Sequence, residues 1–238
     1  MQPMDSMTDR DAVDAQYAHT DNLRTRRDVW GPGPEGASPT EVLLSSVVAA
    51  RPTKVIEIGC GTGHFARSVL DALPDVDYLA TDISAAMVEA TTALGVPSRQ
   101  LPADALPFAD GTFDGAVAAW MLYHVPDLDG TLAELRRVLR DGGRLSVATN
   151  GQEHLADLLR EAGGEPLATQ FTAENAEETL SRHFQHVSRR DVETRASFPD
   201  HAAAVAYLST FAPDLAAALP AFAGQRSYTG RSCILTAH

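Results

Sequence analysis

The run Glu57-Ile58-Gly59-Cys60-Gly61-Thr62-Gly63 follows a short apolar strand pattern and opens a helix. Glycines at such a junction allow positive φ and let a ligand press against backbone N–H groups. Their spacing is G-x-G-x-G, whereas a dinucleotide fingerprint places its third glycine one residue later. His64 stands at that place, and its side chain would obstruct the close helix approach, so a nicotinamide cofactor is disfavoured. Glu57 suits a cationic ligand better than a pyrophosphate, because a carboxylate attracts an ammonium or orders the turn around it. Taken alone, the glycines also fit a plain tight turn.

Asp82 ends Leu79-Ala80-Thr81-Asp82, about twenty residues beyond the glycines, where a carboxylate at a strand tip can accept both hydroxyls of a ribose. A helix-capping aspartate is the alternative. A third run, Ala103-Asp104-Ala105-Leu106-Pro107-Phe108, precedes Phe113-Asp114-Gly115-Ala116-Val117. His124, in Trp120-Met121-Leu122-Tyr123-His124-Val125, follows that strand, and an unperturbed imidazole with a pKa of ~6.5 can take a proton near neutrality. A structural hydrogen-bonding role and base catalysis both stay open for it. Tyr123 faces the same choice between cleft and core, and His154, with Asn150, Gly151 and Gln152, between substrate contact and a helix start.

These residues need a scaffold, and the chain alternates strand and helix patterns from Thr53 to Thr149. Strands are predicted over Lys54–Ile58, Tyr78–Thr81, Ser98–Leu101, Phe113–Met121 and Arg144–Thr149. Between them lie helices marked by Ala66, Val69, Leu70 and Leu73, by Met87, Val88, Thr91 and Leu94, and by Leu132, Leu135, Val138 and Leu139. Such βαβ repetition implies a parallel sheet with right-handed crossovers and a ligand site beyond the strands' carboxyl ends. Ahead of this core, helical texture runs from Ala15 through Tyr17, Leu23 and Val29 to the breakers Gly31-Pro32-Gly33-Pro34. Ser38-Pro39 then starts a helix ending near Ala50. After Gly151 the pattern predicts helices near 153–161, 174–184 and 201–211, and strands near Val187–Thr194 and Ser232–Thr236. The division is therefore 1–50 as lead and cap helices, 51–150 as a ligand-binding core, and 151–238 as the rest of the sheet with cap helices.

Together Glu57–Gly63, Asp82, Asp104-Ala105-Leu106-Pro107-Phe108, Phe113-Asp114 and Leu139-Arg140-Asp141-Gly142-Gly143-Arg144 resemble the class I S-adenosylmethionine-dependent methyltransferases, in particular the small-molecule group related to ubiquinone and menaquinone biosynthesis. The resemblance covers roughly residues 50–150 and implies an α/β fold with a doubly wound, mostly parallel seven-stranded sheet. It implies that Gly59, Gly61 and Gly63 line the methionine part of S-adenosyl-L-methionine, with Glu57 and Cys60 in the cofactor-binding set, the product being S-adenosyl-L-homocysteine. By the same likeness Asp82 holds the ribose, Ile83 packs on the adenine, and Asp104 with Ala105 meets the adenine amino group. Ala119 and Trp120 run beside the sulfonium, and Met87 joins the cofactor set. The leading stretch Tyr17–Arg26 is similar to helices that close over this cofactor, with Tyr17 and Arg26 contributing and Arg24 in reserve. His124 is the catalytic candidate. No metal site is implied.

Composition sets limits. Lys+Arg 19 against Asp+Glu 32 gives a net charge of -13, which repels a polyphosphate and speaks against a nucleic-acid partner. Cys60 and Cys233 show no metal or redox spacing and read as free thiols of a reducing, cytoplasmic setting. Residues 1–14 lack a secretory pattern, and no apolar run approaches the ~20 residues needed to span a bilayer. The expected protein is a soluble monomer or homodimer that methylates a small molecule, with oxygen favoured over nitrogen or carbon, in specialised biosynthesis. Trp30, Phe171, Tyr207, Phe211 and Phe222 are candidates for an apolar acceptor pocket, against a default of core packing. A methyltransferase of protein or RNA, or a non-catalytic cofactor-binding protein on the same fold, are the rival functions.

Overall fold

A computed structural model describes residues 25, 26 and 29–238. Trp30–Pro32 forms β1, Pro39–Ala50 α1, Lys54–Ile58 β2, His64–Ala72 α2, Asp77–Asp82 β3, Ala85–Ala93 α3, Ser98–Gln100 β4 and Phe113–Ala119 β5. A 3-10 turn, Leu122–His124, leads into α4 (Leu128–Val138), β6 (Leu139–Asn150), α5 (Ala156–Glu161) and α6 (Ala176–Ser181). The chain finishes with β7 (Val187–Phe198), α7 (His201–Ser209), α8 (Pro213–Ala218) and β8 (Arg226–Ala237).

The sheet order is β1-β7-β8-β6-β5-β2-β3-β4. β2 pairs in parallel with β3 and β5, as do β3 with β4 and β5 with β6. β8 runs antiparallel to β6 and β7, and β1 antiparallel to β7. The doubly wound α/β architecture stands, but the sheet is mixed and has eight strands where seven were expected. The additional strand is Trp30-Gly31-Pro32, whose proline and glycine read only as a helix stop. At a sheet edge a proline needs no ladder donor on its outer side, so the same residues pair with Ala196, Arg195 and Thr194. The predicted helix through Val29 is seen only at Thr25 and Arg26; Tyr17 and the rest of that stretch lie outside the described residues.

Strand alternation divides the core between two faces. Val55, Val117, Ala148 and Ile234 pack against α1 and α2 through Leu43, Val47, Ala66 and Val69. Ile56, Ile58, Ala116, Ala118, Leu145 and Val147 pack against α4 and α6 through Leu132, Leu135, Val138 and Leu180. Each such fully buried Leu, Ile or Val is worth roughly 1.5–3 kcal/mol relative to exposure. A third cluster, with Leu155, Leu159, Phe198, Tyr207, Leu208 and Tyr228, joins α5, α7 and α8 to the β7–β8 hairpin. The Ala-rich segment 202–223 thus holds two packed helices, α7 and α8. No helix among the described residues is long and apolar enough to cross a membrane.

One of the motif residues, Asp114, turns out to be a staple, and a clamp on α4 is another. Asp114 accepts from the Thr53 N–H, the Thr53 hydroxyl at 2.6 Å and the Lys54 N–H at 2.8 Å, tying the start of β5 to that of β2. Burial raises its carboxyl, but these bonds and Arg140 outweigh that and hold it below the usual carboxylate range. On α4, Arg137 donates to the carbonyls of Leu106 and Phe108, while Glu134 accepts from the Leu106 N–H at 2.7 Å. This clamp fixes the loop that carries Asp104.

Candidate active site

The chain runs β2, β3, β4 outward in one direction, then returns to place β5 and β6 on the other side of β2. At the switch between β2 and β5 the loops part, and a crevice opens beyond the strands' carboxyl ends. A cavity of ≈ 1020 Å³ occupies that place, bordered by the residues following β2, β3, β4, β5 and β6.

The glycine loop is shaped by close approaches. Gly59, Gly61 and Gly63 have φ of 64°, 54° and 75°, the left-handed region that side chains disfavour. A Cβ on Gly63 would stand 2.7 Å from Thr91 Oγ1 and 2.9 Å from its Cα, so α2 starts directly against α3. Thr91 in turn donates to the Gly61 carbonyl at 2.9 Å. Gly63→Ala is expected to cost about 2–3 kcal/mol, because both the φ and the backbone contact resist it. The melting temperature should fall by roughly 5–10 °C for a chain of this size. An unchanged melting curve would mean that α2 and α3 separate freely.

Asp82 closes the loop from the other side. Its Oδ2 accepts from the Gly61 N–H and its Oδ1 from the Ser84 N–H, each at 2.9 Å. One carboxylate thereby joins the turns after β2 and β3. Glu57, 1 % exposed, sits beneath them and accepts from the Tyr78 hydroxyl at 3.0 Å. Burial pushes its carboxyl up to about 8, opposed by the Tyr78 hydrogen bond and reinforced by the Asp82 charge. Burial, then Glu57, also raises the Cys60 thiol, which keeps it protonated.

At the end of β5, Trp120 adopts φ 54° without being glycine. Its N–H donates to the Ala148 carbonyl and its indole to Asn150 Oδ1 at 3.0 Å, so two hydrogen bonds hold a conformation that costs about 1–3 kcal/mol. β5 consequently ends at Ala119, two residues before the predicted Met121. The following turn stacks Tyr123 against His124, ring centroids 4.5 Å apart, and both line the cavity.

Of the residues singled out in the sequence, Glu57, Gly59, Cys60, Gly61, Asp82, Ile83, Asp104, Ala119, Trp120, His124 and Arg26 all border this one cavity. Gly63, Met87 and Ala105 do not. Gly63 is occupied with Thr91, Met87 is 1 % exposed inside α3, and Ala105 faces solvent beside buried Leu106. Arg26 points to the cap: its guanidinium donates to the Thr210 hydroxyl at 2.8 Å and the Thr210 carbonyl, and lies 5.4 Å from the Phe211 ring. Trp30, Tyr207 and Phe211 line the cavity, whereas Phe171 belongs to the core and Phe222 lies against Arg226.

His154 also lines the cavity, against Trp30 at 5.0 Å. Its Nδ1 lies 2.9 Å from the Arg231 carbonyl and 3.1 Å from the Arg231 N–H, so the backbone can serve either tautomer. Burial lowers its pKa to about 4, against the opposing Arg231 bond, and the ring is neutral near pH 7. Sequence reasoning missed Leu155, Leu159, Leu167 and Thr172 in the wall. They sit in loosely patterned segments, and no motif marks them. Among the described residues no group of three or more His, Cys, Asp or Glu could hold a metal ion.

The family model for a methyltransferase domain matches residues 56–147. Over 125 residues the chain is 35% identical to a malonyl-[acyl-carrier protein] O-methyltransferase of Methylococcus capsulatus, which covers 50% of this chain and 46% of that protein. Over 149 residues it is 32% identical to a 23S rRNA (guanine(748)-N(1))-methyltransferase of Streptomyces fradiae, covering 61% of this chain and 50% of that one. The chain therefore spans about half the length of these relatives. The solved structure of the YcgJ protein of Bacillus subtilis superposes with a TM-score of 0.61 at 17% identity, over 82% of this chain and 97% of that one. That last likeness is one of fold. The matched domain and the methyltransferase relatives support reading residues 56–147 as the core of a class I S-adenosylmethionine-dependent methyltransferase.

Proposed function

We propose that this chain transfers a methyl group from S-adenosylmethionine to a small-molecule acceptor, with oxygen as the accepting atom. The observation that carries this reading is the single cavity in which the glycine loop and the Asp82 tip meet the apolar cap residues after β6. The residues suit a cationic nucleoside: Asp82 and Asp104 border one half of the cavity and give it negative potential, and Glu57, protonated by burial, can ionise beside a cation. Asp82 would hold the ribose, Ile83 the adenine face and Asp104 its amino group, while the turn Gly59–Gly61 would cradle the methionine part. Trp120, fixed by Asn150, would wall the methyl end.

S-adenosylmethionine, when bound, supplies an already activated methyl group. What remains for the protein is to hold an acceptor in line and exclude water, so orientation provides much of the rate. His124, in the turn after β5, is placed to orient the acceptor or to take its proton. The reading of an RNA substrate, prompted by the name of the Streptomyces relative, fits poorly with a net charge of -13. A reducing compartment suits Cys60 and Cys233, both present as thiols.

Calorimetry with S-adenosylhomocysteine, followed by turnover of radiolabelled cofactor with metabolite fractions, tests the proposal. Micromolar uptake and label transfer are expected; no uptake by folded protein overturns it. In the same assay His124→Gln at saturating acceptor is expected to lower turnover about 10²-fold or more if the imidazole takes the proton. Unchanged turnover assigns it to orientation alone.

A further inference from the structure

The strands that carry the glycine loop and Asp82 form one half of the sheet, and β6, β8, β7 and β1 form the other. Over this second half the cavity wall is made by Trp30, Leu155, Leu159, Leu167, Tyr207 and Phe211. The aromatic members are contiguous: Trp30 lies 6.5 Å from Tyr207, and Tyr207 5.6 Å from Phe211, both edge-on. Trp30 itself can sit there because residue 230 is glycine, since a Cβ at Gly230 would come within 2.3 Å of its ring.

Within this apolar wall one polar group has no counterpart. Tyr207 is 5 % exposed, and its hydroxyl makes no hydrogen bond to any described residue. Arg26 acts on it through charge, two of its donors being directed at Thr210. Thr172 Oγ1, also in the cavity wall, is fully buried without a partner. Buried hydroxyls are ordinarily paired. Tyr207 borders the cavity, so a bound molecule can satisfy it.

The charge around the cavity narrows that molecule. Among the described residues the carboxylates Glu41, Asp82 and Asp104 line it with one arginine, Arg26, and with His64, His124 and His154, the last kept neutral by burial. An anion entering this space meets more carboxylate than cationic groups among the described residues.

We propose that this half of the cavity is an acceptor chamber for an uncharged molecule with a flat, largely apolar body and a hydroxyl group, and that Tyr207 is the residue that reads the hydroxyl. The proposal rests on the reading that the other half holds the methyl donor. A wall of Trp30, Tyr207 and Phe211 rings favours a flat body through offset and edge contacts. A buried hydroxyl that must find a partner rejects the analogue without one far more strongly than apolar contact does.

The test uses three probes of one shape: 4-phenylphenol, biphenyl and biphenyl-4-carboxylate. Each is titrated by calorimetry into the protein first saturated with S-adenosylhomocysteine. The phenol is expected to bind at least tenfold more tightly than biphenyl and than the carboxylate. Tyr207→Phe, which keeps the ring, should weaken the phenol about tenfold, leave biphenyl unchanged, and leave the uptake of S-adenosylhomocysteine intact. Equal binding of the carboxylate, an unchanged phenol-to-biphenyl ratio in Tyr207→Phe, or no binding of any probe by the saturated protein overturns the chamber. Failure of S-adenosylhomocysteine itself to bind overturns instead the methyl-donor reading, and that is measured in the first titration.

Discussion

Replacing Asp82 by alanine is expected to weaken S-adenosylhomocysteine binding by at least 100-fold. The carboxylate does two things at once. It accepts from the Gly61 and Ser84 N–H groups at 2.9 Å each, and so holds the turns after β2 and β3 in one arrangement. It is also the acidic group at the strand tip that the nucleoside would meet. Hydrogen bonds to a charged group contribute about 1.5–3 kcal/mol each, and losing two of them gives about 3 kcal/mol or more, hence the two orders of magnitude. Asp82→Asn should lie between, because the amide oxygen can serve one N–H while its NH2 is set against the other. The control is near-ultraviolet circular dichroism, which should report a folded core in both variants, since Asp82 is half-buried at the sheet's rim rather than inside it. Affinity within fivefold of the parent in folded Asp82→Ala would remove Asp82 from the site.

The second large effect is in stability against pH. Glu57 is buried against Tyr78, and its carboxyl is pushed from 4.5 up to about 8. Between those values the folded chain binds a proton that the unfolded chain has released. The contribution of Glu57 is therefore fully present below about pH 4.5, declines as pH rises, and is lost above about pH 8. At 1.36 kcal/mol for each unit, the decline is of order 4–5 kcal/mol. Glu57→Gln keeps an oxygen for the Tyr78 hydroxyl and carries no charge at any pH. Its unfolding free energy should lack this slope, so that near pH 9 the variant is the more stable of the two. The difference between the two denaturation curves isolates Glu57 from other groups, including His154, whose lowered pKa acts in the acid range. Parallel curves from pH 5 to 9 would show that the carboxyl ionises without cost. A cation in the cavity favours the carboxylate, so cofactor uptake near pH 7 should also release protons in the parent and fewer in Glu57→Gln, as measured across buffers of different ionisation enthalpy.

The two variants probe different links of the same site. Asp82 acts on the geometry of backbone donors at the rim. Glu57 acts from beneath, through the cost of a charge away from water. Tyr207, across the cavity, depends on neither, which is why its effect should appear in acceptor binding alone.

Local chemistry wrote the core of this fold plainly. Lys54–Ile58 is a strand in pattern and in space, because apolar and β-branched residues beside a glycine turn have few other outcomes. Pro39 opens α1 and Ala50 closes it, where the proline φ and the missing donor said they should. The glycine loop and the Asp82 strand tip were legible because each needs a backbone geometry that few residue types allow. By contrast, β1 was invisible: Trp30-Gly31-Pro32 has no strand pattern of its own and exists by pairing with residues more than 160 positions away. The outer halves of β7 and β8 were missed for a related reason. Their Arg, Ser and Thr residues face water on one side, and only the hairpin partner gives them regular structure.

What the sequence by itself determined is the half of the site made by short loops at strand ends, where a glycine or a carboxylate has one purpose within a few residues. Tertiary structure alone decided the other half. Thr172 and Tyr207 carry no local signature: packing buried the Thr172 hydroxyl without a partner and set Tyr207 in the cavity wall among apolar groups. Arg26 likewise reached Thr210 across the fold. Periodicity records which side of an element is buried, and it is silent about which distant surface the buried side will meet.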